Sequence, residues 1–370
     1  MSAKIKKANW LELFYDLIFV VAIAKATHVL THVHHGHLEW GTYLKYFLIM
    51  VPIWMAWSGY TLFANRFHTE DSKHKVLALL QMLGAVFLSV FIGADFEKYY
   101  LGFLLSYTSI RLLLVIMYIR ASKLRPELRV LCMYLVKGFT VGIFVCLSSI
   151  FFSGILRYMV LNLGIFIEIL CPILGRHHLK EVPVEPHHLP ERYALLTIIV
   201  LGESVLGLST SVEAIKWTPV LIISGVTGFI LICTIWWMYF ENLERLILGK
   251  YLSTGQAIIF NHLFIYIGLG MLANVIRFSL LQELKIFDFK ILSLLGSLTF
   301  LLAMYAIHFT WTDKEKRPRF LLSVGVFLTS LILLIFLSPN ETVIICGMTI
   351  LFLLYVIFDE VKFSSNEEIT

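Results

Sequence analysis

Apolar runs of about 17–25 residues, the length at which an α-helix crosses a bilayer, recur along this chain and restrict its fold more than any other feature. Reading them between charged or turn-rich breaks gives about twelve spans: 10–33, 40–63, 75–92, 99–119, 130–152, 155–174, 191–210, 218–240, 257–280, 289–311, 320–337 and 342–358. In lipid a segment must satisfy its own backbone hydrogen bonds, which leaves helices and closed barrels. Barrel strands are short and alternate in polarity, whereas these runs are long and continuously apolar. The expected class is therefore all-α, a polytopic integral membrane protein. Composition agrees: 59% of the 370 residues are hydrophobic, 15% are charged and the mean hydropathy is +0.83. Soluble domains run at roughly 45–50% and 25%.

Basic residues test the count. With the amino terminus inside, the inner segments collect Lys4, Lys6 and Lys7; Arg66, Lys73 and Lys75; Arg120, Lys123, Arg125 and Arg129; Arg176, Lys180 and Arg192; Arg245 and Lys250; Lys314, Lys316, Arg317 and Arg319; and Lys362. These are 20 of the 30 Lys and Arg, and Lys45, Lys98, Arg157, Lys216, Arg277, Lys285 and Lys290 fall on the outer side. The positive-inside rule then expects both termini in the cytoplasm, an even number of spans and a cell-membrane location. The formal charge of +5 follows this alternation, so it does not argue for nucleic acid. Acids interrupt the first apolar run and no small-x-small site follows it, so the run is expected to stay as a membrane helix.

A repeat is visible at a constant offset of 179: Glu12 with Glu191, Ile53 with Ile232, Trp57 with Trp236, Tyr60 with Tyr239 and Arg66 with Arg245. It predicts a duplicated six-helix unit, 1–174 and 191–370, joined by a cytoplasmic linker at 175–190. An even helix number makes the two units parallel. Pro183, Pro186 and Pro190 make the linker an expected extended loop rather than a helix.

The charges within spans carry the functional question. Asn9 three residues before Glu12 reads as a capping box, and Pro190 before Glu191 suits a first helical position. Asp16 lies about 10 Å into its helix, beyond any cap. Arg111, Lys137 and Glu168 fall about 12–13 Å from the inner ends of their spans, and Glu203 about 18 Å from Glu191. These charges can neutralise one another as structural pairs. Alternatively, Asp16 and Glu203 couple an ion or proton, with Arg111, Lys137 and Glu168 as counter-charges. The aromatic ends at Trp54, Trp57, Trp236 and Trp237 are expected to seal or anchor the bundles.

Two histidine groups, His28–His37 at the outer end of the first span and His177–His188 in the linker, match no defined metal-ligand spacing, so solvated or headgroup-facing histidines without a metal are expected, with metal binding as the alternative. The five cysteines lie inside apolar runs and read as small core residues. There is no phosphate loop, His-Glu-x-x-His, Gly-x-Ser-x-Gly or paired-cysteine motif, so no enzyme and no cofactor is expected.

The run Trp10-Leu11-Glu12-Leu13-Phe14-Tyr15-Asp16-Leu17-Ile18-Phe19-Val20-Val21-Ala22-Ile23 resembles the signature of the bacterial low-temperature-requirement A (LtrA) family. Asn65-Arg66-Phe67, Glu191-Arg192-Tyr193 with Leu201-Gly202-Glu203-Ser204, and Trp236-Trp237-Met238-Tyr239-Phe240 resemble its further markers. The resemblance implies a multipass cell-membrane protein and leaves its activity open. The aromatic-x-Asp element of the first span also resembles a lysosomal and bacterial potassium-channel family, although Leu195 stands where a second aspartate would. The leading expectation is a secondary transporter of an ion or small solute. The alternatives are an oligomeric cation channel lined by the first spans, and a sensor or scaffold without a pathway. Transport through Asp16, Arg111 and Glu203 requires a shared hydrated cavity, and packing of all three in dry pairs would remove its basis.

Overall fold

Asn9 opens the first helix with a capping box: its side chain accepts the Glu12 N–H at 2.9 Å, and the Glu12 carboxylate accepts the Asn9 N–H at 2.9 Å. Two N–H groups that a helix start leaves without partners are thereby satisfied. The computed structural model describes residues 8–67, 71–93, 95–213, 218–249, 255–312 and 314–367. Lys4, Lys6, Lys7, Lys216 and Lys250 lie outside the described residues, as do the side chains of Arg245 and Lys362.

In chain order the helices are α1 (Trp10–His28), α2 (Trp40–Arg66), α3 (Ser72–Val90), α4 (Phe96–Leu124), α5 (Arg129–Ser148), α6 (Gly154–Leu174) and α7 (Arg176–Glu181). They continue with α8 (His188–Glu213), α9 (Pro219–Gly249), α10 (Gln256–Leu281), α11 (Ile286–Trp311), α12 (Arg317–Leu337) and α13 (Glu341–Glu367). Among the described residues, all but α7 are long and apolar enough to cross a membrane, which gives the twelve predicted spans. No strand forms among these residues beyond one His34–His37 bridge. Between the fifth and sixth spans the chain turns at Ser153-Gly154, where Gly154 adopts φ +56°.

The linker corrects one expectation. Arg176–Glu181 form a short helix, because its prolines begin only at Pro183 and the buried Leu179 anchors the turn. Helix α8 also starts earlier than expected, at His188. Pro190 falls in its first turn, where the missing N–H forfeits no helical bond.

The chain divides into two compact units, Met1–Val29 with Tyr43–Leu196 and Tyr251–Ile259, and Leu30–Thr42 with Thr197–Lys250 and Phe260–Thr370. In the first, α3 packs against α1 and α4, α4 against α5, and α5 against α6. In the second, α9 packs against α11 and α13, and α12 against both α11 and α13. Helix α1 shows how the pattern suits lipid. Trp10, Phe14, Leu17 and Val21 line an exposed apolar stripe, while Glu12, Tyr15, Asp16 and Phe19 are buried on the other side. Apolar outside and polar inside is what a bilayer demands of a bundle.

Candidate functional site

The acids of α1 meet the start of α8 inside the first unit. Asp16 is fully buried and accepts three hydrogen bonds. Arg192 grips it with Nε, 3.1 Å from Oδ2, and with Nη2 on Oδ1, while the Trp57 indole N–H donates to Oδ1 at 2.7 Å. This edge-on grip is the strong form of the arginine–carboxylate pair. Arg192 Nη2 also donates to the Glu12 carbonyl at 3.3 Å. Its Nη1 faces Glu12 Oε1 at 3.4 Å, within ion-pair reach but without hydrogen-bond geometry.

Glu12 has a second partner. His188 Nε2 lies 3.1 Å from its Oε2, and both side chains are buried. The Asn65 amide fixes the histidine tautomer. Its Oδ1 accepts the Glu185 backbone N–H at 2.9 Å, which turns Nδ2 toward His188 Nδ1 at 3.0 Å. Nδ1 is therefore the acceptor, and Nε2 carries the hydrogen that reaches Glu12. Around this chain Tyr193 packs edge-on against Trp57 at 4.8 Å and bonds Ser58 at 3.1 Å; Tyr15 stacks on Tyr60 at 4.1 Å and donates to Gln81 at 2.9 Å. Arg66 and Glu191 at this end are held too: Arg66 donates to the Val182 carbonyl at 3.0 Å, and Glu191 accepts the Ala8 N–H at 3.3 Å.

A second buried pair lies in the same unit. Arg111 donates through Nε to Glu168 at 2.8 Å, Tyr107 donates to the same oxygen at 2.6 Å, and Phe139 lies against the guanidinium at 4.6 Å. Asp16 and Arg111 thus each have their own partner within the first unit. Lys137 is exposed on α5 and pairs with no acid among the described residues. Glu203 is half-buried in the second unit and pairs with no cation among the described residues. Trp54 and Trp57 are buried, whereas Trp236 and Trp237 are 48% and 43% exposed. Of the outer histidines, His37 sits in the second unit between Asp288 Oδ2 at 3.0 Å and Lys285 Nζ at 2.7 Å.

Sequence reasoning placed Arg192 and His188 among the inner-loop residues and missed their part in this cluster. One signal could have found Arg192. A cation near the start of a helix faces the positive end of the helix dipole, so it needs an acid close by.

A family model described as Bacterial low temperature requirement A protein (LtrA) matches residues 7–357. An uncharacterized protein of Rhizobium meliloti (strain 1021) is 23% identical over 323 residues, covering 80% of this chain and 75% of that protein.

Proposed function

This chain belongs to the bacterial low temperature requirement A (LtrA) family, a family of membrane proteins, and from that premise we propose that it is a secondary transporter of an ion or small solute, coupled through Glu12, Asp16, His188 and Arg192. One observation carries the reading. The buried cluster holds two carboxylates against one guanidinium, so with a neutral imidazole its charges sum to −1. Uncompensated charge is strongly disfavoured inside a membrane protein. The α1 amino terminus offsets roughly half a charge. A proton taken up by the cluster, or a bound cation, supplies the rest.

The geometry gives such a proton somewhere to act. A proton arriving at His188 Nδ1 displaces the Asn65 amide, which is also bonded to the Glu185 peptide, so uptake moves the linker. A proton on Asp16 frees Arg192, and Glu12 Oε1 stands 3.4 Å from its Nη1 to receive it. Two pairings of one arginine make the kind of discrete switch that alternating access needs. Glu203 is the second coupling candidate, being half-buried and without a cationic partner among the described residues.

Proteoliposomes carrying an internal pH dye test this reading under sodium, potassium and mixed-solute gradients. Wild-type protein is expected to move protons when a gradient is applied, and Glu12→Gln, Asp16→Asn and Glu203→Gln to abolish or weaken the movement. Wild-type vesicles as proton-tight as protein-free liposomes would overturn the transport reading. Unchanged flux in all three variants would overturn the residue assignment.

A further inference from the structure

Arg111 stands at the middle of the 29-residue α4, fifteen residues from Phe96 and thirteen from Leu124. That places it about 20 Å from either end. Its partner Glu168 spends one oxygen, Oε2, on two donors, Arg111 Nε and Tyr107 OH. Arg111 Nη1 is engaged by the Met55 carbonyl at 3.1 Å. Two buried atoms are left over: Arg111 Nη2 and Glu168 Oε1 have no hydrogen-bond partner among the described residues.

The leftover atoms are chemically complementary, one a donor and the other an acceptor. On a guanidinium, Nη2 shares an edge with Nε, and Arg192 uses this edge to take both oxygens of Asp16. Arg111 uses half of the same edge, and Glu168 half of its carboxylate. The pair lies close against two glycines. A Cβ on Gly59 would lie 2.4 Å from Arg111 Nη1, and one on Gly142 would lie 2.3 Å from Glu168 Cγ. Arginine and glutamate are thus each seated against a glycine of a neighbouring helix.

A partner for both atoms must accept from Nη2 and donate to Oε1. It must also be neutral, because the pair is already balanced and an added charge in the span would be uncompensated. Hydroxyl groups, primary amides and water share that chemistry. We propose that the Arg111–Glu168 pair is a binding site, at mid-span, for one small neutral molecule presenting an acceptor and a donor side by side. Mid-membrane placement is where secondary transporters hold their substrates. In naming a solute class the proposal rests on the transport reading above; the site itself does not.

Cryo-electron microscopy of the full chain in lipid nanodiscs, at a resolution that shows ordered waters, tests the site directly. The expected map has a non-protein peak within hydrogen-bond reach of both Arg111 Nη2 and Glu168 Oε1. A round peak identifies water, and an elongated peak in the presence of acetamide identifies a solute site. A closed two-bond fork with no peak overturns the proposal. The map reads occupancy rather than flux, so that outcome leaves the inner cluster untouched. Silent vesicles in the proton assay would equally leave this site standing.

Discussion

Arg192 and Asp16 are both fully buried, so removing one of them strands the charge of the other. Arg192→Gln is expected to lower stability by about 3–5 kcal/mol, the usual loss when a buried pair is broken from one side. Thermal unfolding in detergent measures it. Asp16→Asn combined with Arg192→Gln should lose less than the sum of the two single changes, by about 0.5–3 kcal/mol. Strict additivity would show that the pair is not a unit. Lys137→Ala, at an exposed position with no acid partner among the described residues, should change stability by about 0.5 kcal/mol or less. Asp16 was legible as a special acid because helical rise alone puts it beyond the cap. Its partner was not legible, because 176 residues separate the two and no local period links them.

At the scale of the element, α5 and α6 meet through residues chosen for having no side chain. Gly138 and Gly142 lie one turn apart on α5, and a Cβ on Gly142 would sit 2.3 Å from Glu168 Cγ and 3.0 Å from the Gly164 carbonyl. Lipid gives helices little hydrophobic reason to associate, so close backbone approach carries much of the contact. Gly142→Ala is therefore expected to destabilise by about 1–3 kcal/mol through overpacking, and to disturb Glu168 as well. Gly202 on α8 is the control, since a Cβ there meets nothing within 4 Å. Gly202→Ala should be neutral or stabilise by about 0.5–1 kcal/mol, because alanine is the better helix former. The same melting assay compares the two, and equal effects would mean that α5–α6 contact does not depend on Gly142. The helices themselves were legible, since apolar length and breaks nearly fix them. Only the short α7 escaped, because prolines at its downstream side masked six residues that can turn.

For the whole molecule, orientation decides which side of the membrane each end faces. Applied to the basic residues at the span ends, the positive-inside rule predicts an outer α1–α2 connection and an inner α6–α8 connection. Glu39 and Lys180, both exposed, report on these two connections. Five candidate spans, α2 through α6, separate them, and an odd number must put them on opposite sides. The background for cysteine labelling is favourable: Cys132, Cys146 and Cys171 are buried core residues as expected, whereas Cys233 is exposed and Cys346 half-buried, but both lie within candidate spans. In intact cells a membrane-impermeant maleimide is expected to label Glu39→Cys, and to label Lys180→Cys only after permeabilisation. The reverse pattern would put the amino terminus outside and remove the positive-inside assignment. Labelling of both from the same side would mean that one of the five helices does not cross the membrane.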